Sequence, residues 1–132
     1  MKVVVDSSAI LSILFAEPNS DEILIALNSN QCAISAGNYL ETAIVVDSIK
    51  DPVATRKFDA FIKATGLEIL PVDAKQVEVA RAAYRDYGKG AGHQAKLNFG
   101  DVFAYALATT TKRKLLCKGD DFRHTDIAIL DL

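Results

Sequence analysis

The sequence predicts an α/β fold, a three-layer α/β/α sandwich around a central parallel sheet of about five strands. Short apolar runs such as Val3–Val5 alternate with segments whose apolar residues recur at helical spacing. These runs are apolar on both sides, as strands covered by helices on both faces are. A chain of 132 residues is long enough for one such core. We therefore expect a single domain over residues 1–132.

The first half of the chain contains two predicted strands and four predicted helices. Val3–Val5 is a β-branched run that is too short for a helix, and Asp6-Ser7-Ser8 supplies side chains that cap a following helix extending toward Pro18. The other predicted elements are a helix from Asn19 to Asn30, a strand over Cys32–Ser35, a helix over Tyr39–Ile49 and a helix from Pro52 to Gly66.

The second half of the chain repeats this alternation. Three glycines within Gly88–Gly92 make a helix costly there, which predicts a mobile loop to about Leu97. The predicted elements are a strand over Leu67–Leu70, a helix capped by Asp73 and running to about Tyr87, a helix over Asp101–Lys112, a strand over Lys114–Cys117 and a fifth strand over Ile127–Leu130.

Composition excludes several classes of protein. The net charge of −2 and pI of about 5.6 argue against a DNA-binding protein with a uniformly basic surface. Cys32 and Cys117 lie in apolar runs without metal-ligand spacing, which is typical of core cysteines in a reducing compartment. No apolar stretch approaches the ~20 residues needed to span a bilayer. We expect a cytoplasmic protein that does not interact with membranes.

Four acidic residues lie where one predicted element passes into the next. The flavodoxin-like strand order places the first strand centrally, with the second and third strands on one side and the later strands on the other. Asp6 and Asp120 then follow two adjacent strands at their carboxyl ends, where ligands bind in such sheets. Asp101 opens a helix and Glu41 lies early in another, so all four can face one crevice.

Each acid has a simpler explanation when it is considered alone. Asp6 and Asp101 can cap helices, Glu41 can be a solvated helical residue, and Asp120 can be a turn residue. Four converging carboxylates, however, repel one another unless a cation is present. Oxygen ligands without histidine or cysteine favour Mg²⁺, with Mn²⁺ as the alternative, and disfavour zinc. Such a site is suited to reactions of phosphates.

Other functional residues are less strongly indicated. Lys118 and Arg123 flank Asp120 and are the best candidates for binding substrate phosphates, although solvated surface charge is the simpler interpretation of either residue. His93 and His124 have no nucleophile motif beside them, and structural roles are favoured for both. A Ser-His-Asp hydrolase is therefore improbable.

Four short blocks surround the four acids: Val4-Val5-Asp6-Ser7-Ser8-Ala9, Ser35-Ala36-Gly37-Asn38-Tyr39-Leu40-Glu41, Leu97-Asn98-Phe99-Gly100-Asp101 with Tyr105-Ala106-Leu107-Ala108, and Lys118-Gly119-Asp120-Asp121-Phe122. These blocks resemble the signature motifs of PIN-domain ribonucleases, and more narrowly those of VapC-type toxins. They occur in the family's order over essentially the whole chain.

The resemblance implies a metal-dependent endoribonuclease that cleaves single-stranded or loop regions of RNA. It identifies Asp6, Glu41, Asp101 and Asp120 as the catalytic acids, with Asp6 and Asp101 as direct metal ligands. Lys118 replaces a common Thr or Ser, and either Asp120 or the adjacent Asp121 can be the fourth acid. The position after Gly119 favours Asp120.

The resemblance further implies two protein partners, a small inhibitory antitoxin and a second copy of the chain. The apolar residues of Ile10–Phe15 and Ile23–Leu27 suit a groove for an antitoxin, although core packing explains them equally well.

Two other kinds of protein remain as alternatives. One is a PIN-like fold that binds RNA or protein without catalysis, against which the presence of all four acids argues. The other is a different Mg²⁺-dependent phosphotransfer domain, such as a phosphatase or a receiver domain. Such domains need a second acid close to Asp6, whereas Ser7 and Ser8 stand there.

Overall fold

A computed structural model describes residues 1–132 and contains four strands and six α-helices. The strands are β1 (Lys2–Val5), β2 (Gln31–Ser35), β3 (Glu68–Leu70) and β4 (Lys114–Leu116). The helices are α1 (Ser7–Leu14), α2 (Ser20–Ser29), α3 (Ala36–Asp47), α4 (Pro52–Thr65), α5 (Ala74–Tyr87) and α6 (Asp101–Thr111), and a short 3₁₀ helix covers Asp121–His124. None of the helices is both long enough and apolar enough to cross a membrane.

The sheet is parallel throughout and has the strand order β3-β2-β1-β4. The prediction of a parallel sheet with a central first strand is therefore confirmed. In register, Val4 of β1 lies beside Ala33 of β2 on one side and Leu115 of β4 on the other. The carboxyl ends of β1 and β4 consequently meet at one edge of the sheet.

Alternate residues of β1 face two separate apolar layers, as the period of two in a strand requires. Val3 and Val5 pack with buried residues of α1, α2, α3 and α4, including Ile10 and Phe58. Val4 faces the opposite layer, which contains residues of α5 and α6. The three-layer arrangement follows from this division, because each face of the sheet is covered by its own set of helices.

The predicted fifth strand at Ile127–Leu130 is wrong, because this segment pairs with β4 through a single residue. Leu115 donates to Ala128 O and accepts from Leu130 N, both at 2.9 Å, and forms one parallel bridge with Ile129. The chain is extended beside the sheet, but no ladder continues in either direction.

Two further features differ from the sequence prediction, the start of α3 and the loop after α5. Helix α3 begins at Ala36 rather than Tyr39, because the Ser35 hydroxyl accepts a 3.2 Å hydrogen bond from Gly37 N and caps the helix directly at the end of β2. The predicted mobile loop after α5 is closed by a Gly88–Leu97 bridge, and Leu97 is fully buried. Apolar burial holds this glycine-rich segment against the α5 and α6 layer.

Candidate active site

Asp6 lies between the carboxyl ends of β1 and β4. Its backbone N–H donates to Leu116 O at 2.9 Å, and its Oδ2 accepts a 3.0 Å hydrogen bond from Ser8 N at the start of α1. The side chain is only 3% exposed, and its Oδ1 is buried without a hydrogen-bond partner. Asp6 caps a helix, as the simpler interpretation predicted, yet it keeps one carboxylate oxygen free.

The electrostatics of Asp6 reflect two neighbouring acids. The pKa of the Asp6 carboxyl is raised to about 7, chiefly by burial and also by the charges of Asp101 and Glu41, against the lowering effect of hydrogen bonds from Ser8. Two of the predicted acids therefore lie within electrostatic reach of the first. A cation bound at Asp6 would relieve both the burial of its charge and the repulsion.

Asp101 occupies the first position of α6 and exchanges two hydrogen bonds with Asn98. Asp101 Oδ2 accepts from Asn98 N, and Asn98 Oδ1 accepts from Asp101 N, both at 2.9 Å. Burial raises the pKa of Asp101, and the charges of Asp121 and Glu41 raise it further. The reciprocal hydrogen bonds fix the direction in which this carboxylate leaves the helix.

Glu41 is held by residues that the sequence did not single out. Its Oε1 accepts a 2.6 Å hydrogen bond from Ser7 Oγ and lies 3.3 Å from Asn38 Nδ2. Asn38 Nδ2 also donates to Gly100 O at 2.9 Å, which ties α3 to the residue before Asp101. One sequence signal for Asn38 is available, since it lies three residues before Glu41, one helical turn away on the same face.

The two candidates for the fourth acid have different surroundings. Asp120 has a side chain that is 85% exposed, and its Oδ1 lies 3.7 Å from Arg123 Nε. Asp121 begins the 3₁₀ helix, and its charge contributes to the raised pKa of Asp101. The charge of Asp121 thus reaches Asp101, which makes Asp121 a candidate for the fourth acid beside Asp120.

The two predicted phosphate-binding residues are engaged in contacts within the chain. Lys118 Nζ donates to Pro18 O at 2.8 Å and lies 3.1 Å from Glu17 Oε2, so its charge is directed toward the segment after α1. Arg123 is half-exposed and lies within ion-pair distance of Asp120 and Asp131. Of the two, Arg123 has the longer ion-pair distances, and both residues lie equally near Asp120 and Asp121 in sequence.

The oxygen atoms near Asp6 suit a divalent cation that binds few protein ligands. No group of three or more Asp, Glu, His or Cys side chains forms a ready-made cage. Mg²⁺ does not need such a cage, because it usually retains several waters and binds proteins through one or two carboxylates. The free, buried Oδ1 of Asp6 fits this mode of binding.

A parallel sheet with a buried aspartate at the carboxyl end of its central strand, and with two further acids within electrostatic reach of it, defines a class of α/β proteins whose site lies at that edge of the sheet. The family model described as PIN domain matches residues 3–128. The chain is 45% identical over 126 residues to VapC ribonuclease Mb0625 of Mycobacterium bovis, covering 95% of each chain, and 43% identical to ribonuclease VapC42 of Mycobacterium tuberculosis, covering 95% of this chain and 96% of that protein. This chain belongs to the PIN-domain family, and its relatives there are VapC ribonucleases.

Solved structures agree with this assignment at the level of the fold. The structure of VapBC2 from Rickettsia felis bound to a promoter DNA fragment superposes with a TM-score of 0.76 at 17% identity, covering 99% of this chain and 98% of that one. VapC20 of Mycobacterium tuberculosis, described as a sarcin-ricin loop cleaving toxin, gives a TM-score of 0.75 at 16% identity, covering 98% and 99%. The recognition of a PIN domain from the four sequence blocks is confirmed.

Proposed function

We propose that the chain is a metal-dependent endoribonuclease and acts as the toxin of a toxin–antitoxin pair. The observation that carries the proposal is the free, buried Oδ1 of Asp6 within electrostatic reach of Asp101 and Glu41. Identity of more than 40% to named ribonucleases over nearly the whole chain supports RNA as the substrate.

In this proposal Asp6 and Asp101 would hold Mg²⁺ or Mn²⁺ directly. Glu41 and the fourth acid, Asp120 or Asp121, would orient water near it. The chemistry supplied by the ion, when bound, is to lower the pKa of a water ligand and to stabilise the charge on the leaving oxygen. Arg123 would contact a substrate phosphate beyond the acids.

The experiment that tests the proposal is cleavage of a structured RNA pool by the purified chain, followed by mapping of the new RNA ends. With Mn²⁺ present, we expect cuts at discrete sites, and we expect none in the presence of a chelator. Asp6→Asn serves as the matched control because its amide oxygen can still accept the hydrogen bond from Ser8 N. Equal cleavage by parent and variant would refute the proposal.

The antitoxin is proposed because the structural neighbours include VapBC and FitAB complexes. The predicted groove over Ile10–Phe15 and Ile23–Leu27 is for the most part core, since Ile10, Ile23 and Leu27 are buried. Phe15 is exposed and lines a cavity of about 180 Å³ between α1, α3 and α4. The proposal predicts that expression of the chain arrests bacterial growth and that Asp6→Asn does not.

A homodimer is proposed on the basis of an exposed apolar surface formed by α3, α5 and α6. Two cavities of about 590 and 490 Å³ share Phe99 and Phe103 in their walls, and the Phe99 side chain is 74% exposed. Contiguous apolar surface of this kind marks sites of protein–protein contact. We assign this surface, rather than α1 and α2, to the second copy of the chain.

A further inference from the structure

Gly100 precedes Asp101 at the start of α6, where glycine is not required by the backbone. Its φ of −67° and ψ of −37° are ordinary helical angles that any residue adopts. A Cβ at this position, however, would lie 2.7 Å from Glu41 Oε1 and closer still to Oε2. The absence of a side chain at residue 100 therefore provides the space in which the Glu41 carboxylate lies.

The opposite side of the same carboxylate is fixed by hydrogen bonds. Ser7 Oγ and Asn38 Nδ2 both approach Oε1, at 2.6 and 3.3 Å, and Asn38 is fully buried. No hydrogen bond reaches Oε2, the oxygen that faces Gly100. One oxygen of Glu41 is thus held in place while the other remains free beside the first residue of α6.

We propose that Gly100 and Asn38 are positioning residues that hold the Glu41 carboxylate beside Asp101. Gly100 acts through its missing Cβ, and Asn38 acts by linking Glu41 Oε1 to the carbonyl of Gly100. This inference rests on the proposed metal-dependent nuclease function, because it assigns these residues to the same group of acids. The two residues join α3 to α6 at the point where their acids leave the helices.

The decisive variant is Gly100→Ala, which places a methyl group in the carboxylate's space without straining the backbone. The melting temperature of the metal-free chain is expected to stay the same or rise, because alanine restricts the unfolded chain more than glycine does. Mn²⁺ affinity, measured by calorimetry, is expected to fall about 10- to 100-fold, as happens when groups that orient metal-site carboxylates are lost. RNA cleavage is expected to fall with it.

Gly37→Ala is the matched control because a Cβ there would meet the ring of Phe103, at 2.6 Å from Cδ1, and not Glu41. It crowds the same contact between α3 and α6 and is expected to leave Mn²⁺ affinity at the parent's value. Asn38→Ala removes the hydrogen bonds to Glu41 and Gly100 without adding an atom, so it tests the same inference if Gly100→Ala does not fold. It too is expected to weaken Mn²⁺ binding.

A double variant separates positioning from a general effect on the fold. If Gly100→Ala acts through Glu41, then adding it to Glu41→Gln costs no further Mn²⁺ affinity, whereas independent effects would add. Parent-like Mn²⁺ binding by Gly100→Ala, with binding lost in Glu41→Gln, would overturn the inference and leave the proposed function intact. Parent-like binding and cleavage by Glu41→Gln and Asp6→Asn would instead overturn the proposed function.

Discussion

The backbone N–H of Asp6 donates to the carbonyl of Leu116 at 2.9 Å and extends the pairing of β1 with β4 by one residue. This hydrogen bond fixes the first acid at the junction of two adjacent strands. The carboxyl is therefore buried by the sheet on which it stands, and burial without a cation favours its protonated form. In the metal-free chain the charged form of Asp6 is disfavoured, and this effect can be measured through the stability of the chain.

The stability of the metal-free chain should depend on the protonation of Asp6. Because its pKa rises from 3.8 to about 7 on folding, the folded state binds more protons than the unfolded state between these values. The free energy of unfolding should fall as pH rises through this window, by at most about 4 kcal/mol. Urea denaturation with a chelator present, at several pH values, measures this slope. The free energy of unfolding of Asp6→Asn should depend much less on pH, and above pH ~7 the variant should be more stable than the parent.

A divalent cation should reverse this loss of stability. Mn²⁺ binds the folded chain in preference to the unfolded one, so at a hundredfold excess over its dissociation constant it should add about 2.7 kcal/mol. The rise in melting temperature at neutral pH is the measurement. Asp101→Asn removes one of the two direct ligands proposed above and should show little rise. An equal rise in this variant would assign the ion to another place.

The fourth acid can be identified by comparing two adjacent aspartates. Asp121 contributes to the raised pKa of Asp101, whereas Asp120 lies beside Arg123, and both residues are exposed. We therefore expect Asp121→Asn to lower the rate of RNA cleavage by about 10- to 100-fold and Asp120→Asn to lower it only a few-fold. Single-turnover rates measured with both variants decide the matter. A larger loss in Asp120→Asn would support the assignment of Asp120 that the motif favours.

Much of the fold is predictable because it depends on local signals. The run Val3–Val5 can only be a buried strand, and Asp6 follows it as a helix cap, so the sequence alone places an acid at the carboxyl end of the central strand. The fifth strand fails for a non-local reason. Its apolar residues match a strand pattern, but Leu115 is the only residue of β4 whose backbone exchanges hydrogen bonds with it.

The support of the site was not predictable from sequence patterns. Ser7 and Glu41 are 34 residues apart, and Asn38 and Gly100 are 62 residues apart, so their hydrogen bonds depend on the packing of three helices. Lys118 likewise makes a contact that its sequence position does not indicate. Its position near the acids suggests phosphate binding, yet its side chain reaches Pro18 across 100 residues of sequence. Spacing indicates which residues are near the site and not where their side chains are directed.

Arg123 and Lys118 should differ in their effects on RNA binding. Removal of one phosphate contact reduces the salt dependence of binding by about 0.7 in the slope of log affinity against log salt for a single strand. Arg123→Ala should show this decrease and weaker binding. Lys118→Ala should show a smaller decrease in the slope and a smaller loss of RNA binding, because Glu17 already compensates the lysine charge. The Asp6→Asn variant, which we expect to be inactive, provides the background in which RNA binding can be titrated without cleavage.

The apolar surface around Phe99 should control the oligomeric state. Val77 lies on α5 in one of its two cavities and is 54% exposed, so a charge there would be buried in a dimer without a partner. We expect Val77→Asp to sediment as a monomer where the parent sediments as a dimer. Lys75→Asp is the control, since it introduces the same carboxylate two residues away on α5, outside both cavities. Because Val77 is exposed in the isolated chain, its replacement should leave the melting temperature of the monomer unchanged. Any difference in melting temperature from the parent that depends on protein concentration then measures the interface itself.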